Sequence, residues 1–131
     1  MVQGKTSIVV VDDNADVAGA LVLLLEGAGY HVESAHSAEN AVLLVERLRP
    51  ECVLLDIGMP GLDGGDLAQC LRHRYGDGIL LIALTGLPPQ HVRALSTAAV
   101  VDHYFEKPVD MSDLLARLPS AHRDGSSAAG A

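Results

Sequence analysis

The sequence predicts an α/β fold, a doubly wound parallel sheet of five strands with helices on both faces. Three observations predict it. Short apolar runs alternate five times with stretches of helical period. The first, third and fourth runs are continuously apolar rather than alternating, so both of their faces must be covered. Glycine, proline and helix-capping residues fall between the elements.

The first strand is Ser7-Ile8-Val9-Val10-Val11, and Val17, Leu21, Leu24, Leu25 and Ala28 follow it at helical spacing. Gly29 can supply the left-handed residue that ends this helix. The second unit is His31-Val32-Glu33-Ser34 followed by Ala38, Val42, Val45 and Leu48, with Ser37 as its cap and Pro50 as its stop. Cys52-Val53-Leu54-Leu55 precedes Leu67, Cys70 and Leu71 in the third. The fourth is Ile79 to Leu84 with Pro88-Pro89 opening a helix that carries Val92, Leu95 and Ala99. The fifth is Tyr104-Phe105 with Met111, Leu114, Leu115 and Leu118, capped by Asp110.

A chain of 131 residues fits one domain, large enough to bury roughly two-thirds of its unfolded surface. Residues 1–6 read as a lead, 7–118 as the domain, and 119–131, rich in Ser, Ala and Gly, as a flexible tail or the start of a linker. The 17 acidic and 9 basic side chains give a formal charge of -8 without a Lys/Arg cluster. That balance argues against nucleic acid or an anionic membrane as a direct partner and leaves cations open. Cys52 and Cys70 each lie in an apolar stretch and read as buried thiols of a reducing cytosol. The longest apolar run, Val17 to Leu25, reaches only half of the ~20 residues a membrane span needs and reads as a core helix. No export segment precedes the first strand, so a cytoplasmic location without membrane insertion is expected.

In doubly wound sheets, chemistry sits at the carboxyl ends of the strands. Here those ends carry Asp12-Asp13 after the first strand, Asp56 after the third, Thr85 after the fourth and Lys107 after the fifth. Three carboxylates on one rim repel one another unless a cation joins them. Mg²⁺ (or Mn²⁺) suits an all-oxygen set that leaves room for water and phosphate. Asp13 and Asp56 are the first choices as ligands, with Asp12 direct or through water and the Gly58 backbone carbonyl completing the set. A carboxylate can also attack phosphorus, after which the work is mostly neutralising charge on the equatorial oxygens. Lys107 and the metal are available for that, and Thr85 can donate its hydroxyl once a phosphoryl group is present.

At this point the chain resembles the receiver domains of response regulators in two-component signalling. The motifs occur in order: Val11-Asp12-Asp13-Asn14, Leu55-Asp56-Ile57-Gly58-Met59-Pro60-Gly61-Leu62-Asp63-Gly64, Ala83-Leu84-Thr85-Gly86 and Lys107-Pro108-Val109. The resemblance covers about residues 6 to 118, and the second motif is most similar to receivers attached to hybrid sensor histidine kinases. It implies the flavodoxin-like strand order 2-1-3-4-5. It also implies that Asp56 is the phosphoacceptor, taking its group with Mg²⁺ from a phosphohistidine of a sensor histidine kinase or a histidine phosphotransfer protein. Such a domain is a switch that catalyses only its own phosphorylation and dephosphorylation. Lys107-Pro108 is expected to be cis, and Tyr104 to be the switch aromatic that follows Thr85. Output to a downstream effector is expected on the face of the fourth helix, fifth strand and fifth helix.

Departures from the family pattern are specific. Gly58 and Leu87 stand where polar side chains often orient hydrolytic water, so access is expected to govern dephosphorylation. The fourth helix runs into Ala98-Ala99-Val100-Val101-Asp102 without the usual glycine, which predicts a remodelled end. Three other functions compete with this one. A haloacid-dehalogenase-type phosphatase would need a second Asp where Gly58 stands, and a flavin domain would use aromatics, of which the chain has 3% and no Trp. The third, a receiver-like scaffold that is never phosphorylated, is separated only by phosphorylation itself. The scattered histidines offer no zinc pattern, and Gly58 to Gly65 lacks the Lys-Ser/Thr of a nucleotide loop.

Overall fold

The computed structural model describes residues 4–57, 64–86 and 100–123. Five parallel strands form the main sheet: β2 (Ser7–Val11), β3 (His31–Ala35), β4 (Cys52–Ile57), β5 (Leu80–Thr85) and β6 (His103–Glu106), in the order β3-β2-β4-β5-β6. Counting only these five, this is the expected order 2-1-3-4-5. The helices are α1 (Ala15–Gly27), α2 (Ala38–Leu48), α3 (Gly64–Tyr75) and α4 (Met111–Arg117), with a 3₁₀ turn at Gly76–Gly78. The expected helix at Val92, Leu95 and Ala99, its Pro88-Pro89 start and Leu87 lie outside the described residues, so α4 here is the fifth helix of the sequence reading. Residues 58–63 and 124–131 also lie outside them.

Alternation along the covered strands divides the core into two layers. Ile8, Val10, Cys52, Leu54, Ile82 and Leu84 share one layer with Ala18 and Leu25 of α1 and Leu114 of α4. Val9, Val11, Val53, Leu55 and Leu81 share the other with Ala41 and Val45 of α2 and Leu67, Ala68 and Leu71 of α3. Burying each such Val, Leu or Ile contributes about 1.5–3 kcal/mol, which is why β2 runs apolar from Ile8 to Val11 and β4 from Cys52 to Leu55.

Helix ends follow the capping chemistry. Ser37 accepts from the Asn40 N–H, and Asp110 accepts from the Ser112 and Asp113 N–H groups. Asn14, not singled out in the sequence, caps α1 by accepting from the Asp16 and Val17 N–H groups. At the other end of α1, Gly29 (φ 103°) donates to the Glu26 carbonyl while Tyr30 donates to that of Leu25. These crossed bonds satisfy carbonyls the helix leaves unpaired. At α2 the left-handed cap is Arg49 (φ 51°), not a glycine; its guanidinium lies 5.3 Å from the centre of the Tyr75 ring.

Three expectations are corrected. The Val17–Leu25 run is not wholly core: Ala18 and Leu25 are fully buried, but Val17, Leu23 and Leu24 are 44%, 71% and 55% exposed. One helical face cannot hold three consecutive leucines. Cys52 is buried as expected, whereas Cys70 is exposed. The chain also stays attached past Leu118. β1 (Gly4–Lys5) pairs antiparallel with β7 (His122–Arg123), and the Tyr30 hydroxyl donates to the Pro119 carbonyl at 2.6 Å. Thr6 is bonded to Ser120 and Ala121. Such backbone pairing needs no apolar periodicity, so composition alone does not reveal it. Among the described residues no helix is long and apolar enough to cross a membrane.

Gly29 carries a specific demand. A Cβ there would meet the Ala121 Cβ at 3.3 Å, in a backbone conformation that side chains rarely adopt. Gly29→Ala is expected to destabilise the domain by on the order of 1–2 kcal/mol, measured by urea unfolding at unchanged m-value.

Candidate functional site

The strand register brings the rim residues together from four strands. Asp12 follows β2 directly, and its carboxylate is fixed by accepting the Asn14 N–H at 2.9 Å. Thus Asn14 caps α1 with its side chain while its backbone steadies Asp12. Asp56 lies within β4, paired with Leu84, rather than just beyond the strand. Thr85 ends β5 beside Ile57, and its carbonyl accepts the Lys107 N–H at 2.7 Å. That bond anchors the start of the Lys107-Pro108 step, whose peptide is cis.

Asp12, Asp56 and Thr85 are 4%, 2% and 1% exposed, so these polar groups are held inside the rim rather than on it. The Lys107 Nζ donates to Asp56 Oδ2 at 2.5 Å and lies 3.9 Å from Asp12 Oδ2. Burial pushes the Asp56 carboxyl up to about 6 from 3.8; Lys107 pulls it down, and the adjoining Asp12 carboxylate pushes it up. Burial is the larger effect, and a single ammonium does not offset burial and a neighbouring carboxylate together.

Tyr104 is half-buried in β6, paired with Ala83, two residues before the Thr85 end of β5. Gly58, expected to supply a carbonyl, lies outside the described residues. A groove of about 510 Å³ opens onto Asp12, Asp56 and Lys107, with Val17, Leu21 and Leu24 of α1 on one wall and Val109 and Met111 on the other.

A cation fits the chemistry of this rim. Asp13 Oδ1 is buried with no hydrogen-bond partner, and Asp12 and Asp56 crowd one another. A divalent ion would relieve both. Among the described residues, however, no group of three or more His, Cys, Asp or Glu side chains is arranged to hold a metal. Lys107 engages Asp56 through Oδ2.

The response regulator receiver domain model matches residues 8–119. The chain is 33% identical over 114 residues to the DNA-binding response regulator MtrA of Mycolicibacterium paratuberculosis, covering 87% of this chain and 50% of that protein. It thus spans about half the length of the curated relatives it matches. Among solved structures, the response regulator TrrA of Thermotoga maritima, in complex with Mg(2+)-BeF, has a TM-score of 0.77 at 28% identity, covering 86% of this chain and 95% of that one. A response regulator from Burkholderia pseudomallei with a phosphorylated aspartic acid, calcium ion and citrate has a TM-score of 0.76 at 26% identity, covering 95% and 71%.

The fold and the acidic rim define a two-component signalling domain. This chain belongs to the response regulator receiver domain family. One expectation needs correction here. Excluding nucleic acid on the strength of an acidic charge is not supported, because MtrA is described as DNA-binding. The charge of a matched half says nothing about what the other half of such a relative touches.

The raised Asp56 carboxyl has a consequence for stability. Its folded value of about 6 exceeds the unfolded value near 3.8, so the folded state binds the proton more tightly. The stability this one group contributes is therefore fully present below about pH 4 and is lost as pH rises through about 6. In magnesium-free buffer, Asp56→Asn is expected to be more stable than wild type above about pH 6 by on the order of 1–3 kcal/mol. That advantage should disappear below about pH 4 in thermal melts.

Proposed function

We propose that this domain is the phosphoacceptor of a phosphorelay, taking a phosphoryl group from phosphohistidine onto Asp56 with Mg²⁺. The observation that carries the reading is the buried Asp56 carboxylate held by Lys107 Nζ at 2.5 Å beside Asp12. Asp12, Asp13 and Asp56, with the Gly58 carbonyl, would hold the ion, which when bound neutralises charge on the transferred group. Lys107 then shifts from countering the Asp56 carboxylate to countering the phosphoryl oxygens. In the transfer a carboxylate oxygen of Asp56 forms the new bond to phosphorus as the bond to the donor imidazole nitrogen breaks, and the freed imidazole takes a proton.

Two neighbours lend support. TrrA is in complex with Mg(2+)-BeF, and the Burkholderia protein has a phosphorylated aspartic acid with a calcium ion. Thr85, buried at the same rim, would then donate to a phosphoryl oxygen, and Tyr104 would follow it inward, shifting the population of the output face. The donor would be a sensor histidine kinase or a histidine phosphotransfer protein, and the receiver of the signal a downstream effector, in the cytoplasm. The only reaction assigned to the domain itself is the gain and loss of its own phosphoryl group.

Incubation with acetyl phosphate and Mg²⁺ is expected to add a single increment of ~80 Da to the intact mass. Asp56→Ala should abolish the increment, and EDTA should suppress it. Sustained phosphate release from phosphate esters, or an increment that survives Asp56→Ala, would show the reading to be wrong.

A further inference from the structure

Lys107 can serve Asp56 only if β6 keeps its register, and β6 is poorly equipped to do so unaided. It has four residues, lies at the edge of the sheet and pairs with β5 alone. A one-residue slip would turn its side chains to the opposite face and draw Lys107 back by about 3.3 Å.

A second fastening exists at the far end of this strand. Asp102, immediately before β6, is tied twice to β5: its N–H donates to the Leu81 carbonyl at 2.8 Å, and its Oδ2 accepts the Leu81 N–H at 2.8 Å. The same Oδ2 accepts from Arg72 Nη2 of α3 at 2.6 Å. Arg72 also donates through Nε to the Val100 carbonyl at 2.9 Å, and through Nη1 to the Gly76 and Ile79 carbonyls at 2.6 and 3.0 Å. One planar fork thereby joins the end of α3, the start of β5 and the entry to β6. Most surface ion pairs contribute little because two long side chains must be ordered for one weak contact. Here one guanidinium is ordered for four acceptors, its side chain is only 17% exposed, and its carboxylate partner is itself hydrogen-bonded to backbone. A lysine has no such fork and could not replace it.

We infer that Arg72 and Asp102 are a positioning pair that fixes the register of β6 and so delivers the Lys107 ammonium to Asp56. This role rests on the phosphoacceptor reading for its chemical purpose, but not for its effect on the strand. Neither residue touches the rim: Asp102 and Lys107 stand at opposite ends of β6, about 16 Å apart along the strand.

Two measurements test the pair. In hydrogen exchange, Arg72→Ala and the milder Arg72→Lys should speed exchange of the Lys107 amide, bonded to Thr85, while leaving β2 and β4 amides protected. In phosphorylation by acetyl phosphate with Mg²⁺, Arg72→Ala should slow labelling of Asp56 by up to about a hundredfold, the cost that a misplacement of about 1 Å can carry. Made in a Lys107→Ala background, the same change should slow it no further, since its effect runs through Lys107. Unchanged Lys107 exchange in both Arg72 variants would overturn the inference, as would slowing that multiplies fully with Lys107→Ala. If the wild type takes no phosphoryl group, the functional reading fails, and the exchange comparison still decides whether the pair sets the strand.

Discussion

A parallel sheet covered on both faces leaves only its two rims for polar chemistry, and the contact between Lys107 and Asp56 is what makes one of them tenable. Apolar side chains fill both layers, so the carboxylates of Asp12 and Asp56 emerge, almost wholly buried, at the floor of a groove. Two adjoining carboxylates there would oppose folding were Lys107 not 2.5 Å from one of them. The ammonium must come from a different strand, two positions across the sheet from β4. The edge of the sheet and its centre are thereby bound into one electrostatic unit.

The compensation is incomplete. Asp56 remains hard to ionise, and Asp13 keeps a buried oxygen without a partner. A rim so left would gain stability from a positive charge that entered it, because such a charge would relieve the repulsion between its carboxylates.

Much of this was legible in the sequence because burial writes itself in continuous apolar runs. Ser7–Val11 and the Cys52 run marked strands covered on both faces, and the residues that break those runs, Asp12 and Asp56, marked the rim. Caps at Ser37 and Asp110 were equally plain, since short polar side chains before a helical period have one common use. Other features depend on partners far away in the chain. Arg72 looks like any arginine on a helix until Val100 and Asp102 are folded against it. Asn14 looked like a motif letter, yet it caps α1 and steadies Asp12. Val17 and Leu24 share the period of a core helix, but α1 has one inward face, and Leu25 and Ala18 occupy it. The missing glycine before β6 also has an answer: among the described residues only Arg49 of the non-glycines has positive φ, so Val100 takes ordinary backbone geometry. Its carbonyl is satisfied by Arg72 instead.

The short pairing of Gly4–Lys5 with His122–Arg123 closes the molecule at the amino ends of the strands, the pole away from Asp56. Gly4 and Arg123, the first and last of the described residues, thus lie directly opposite one another, so a strain put on one strand of this clasp is shared at once by the other.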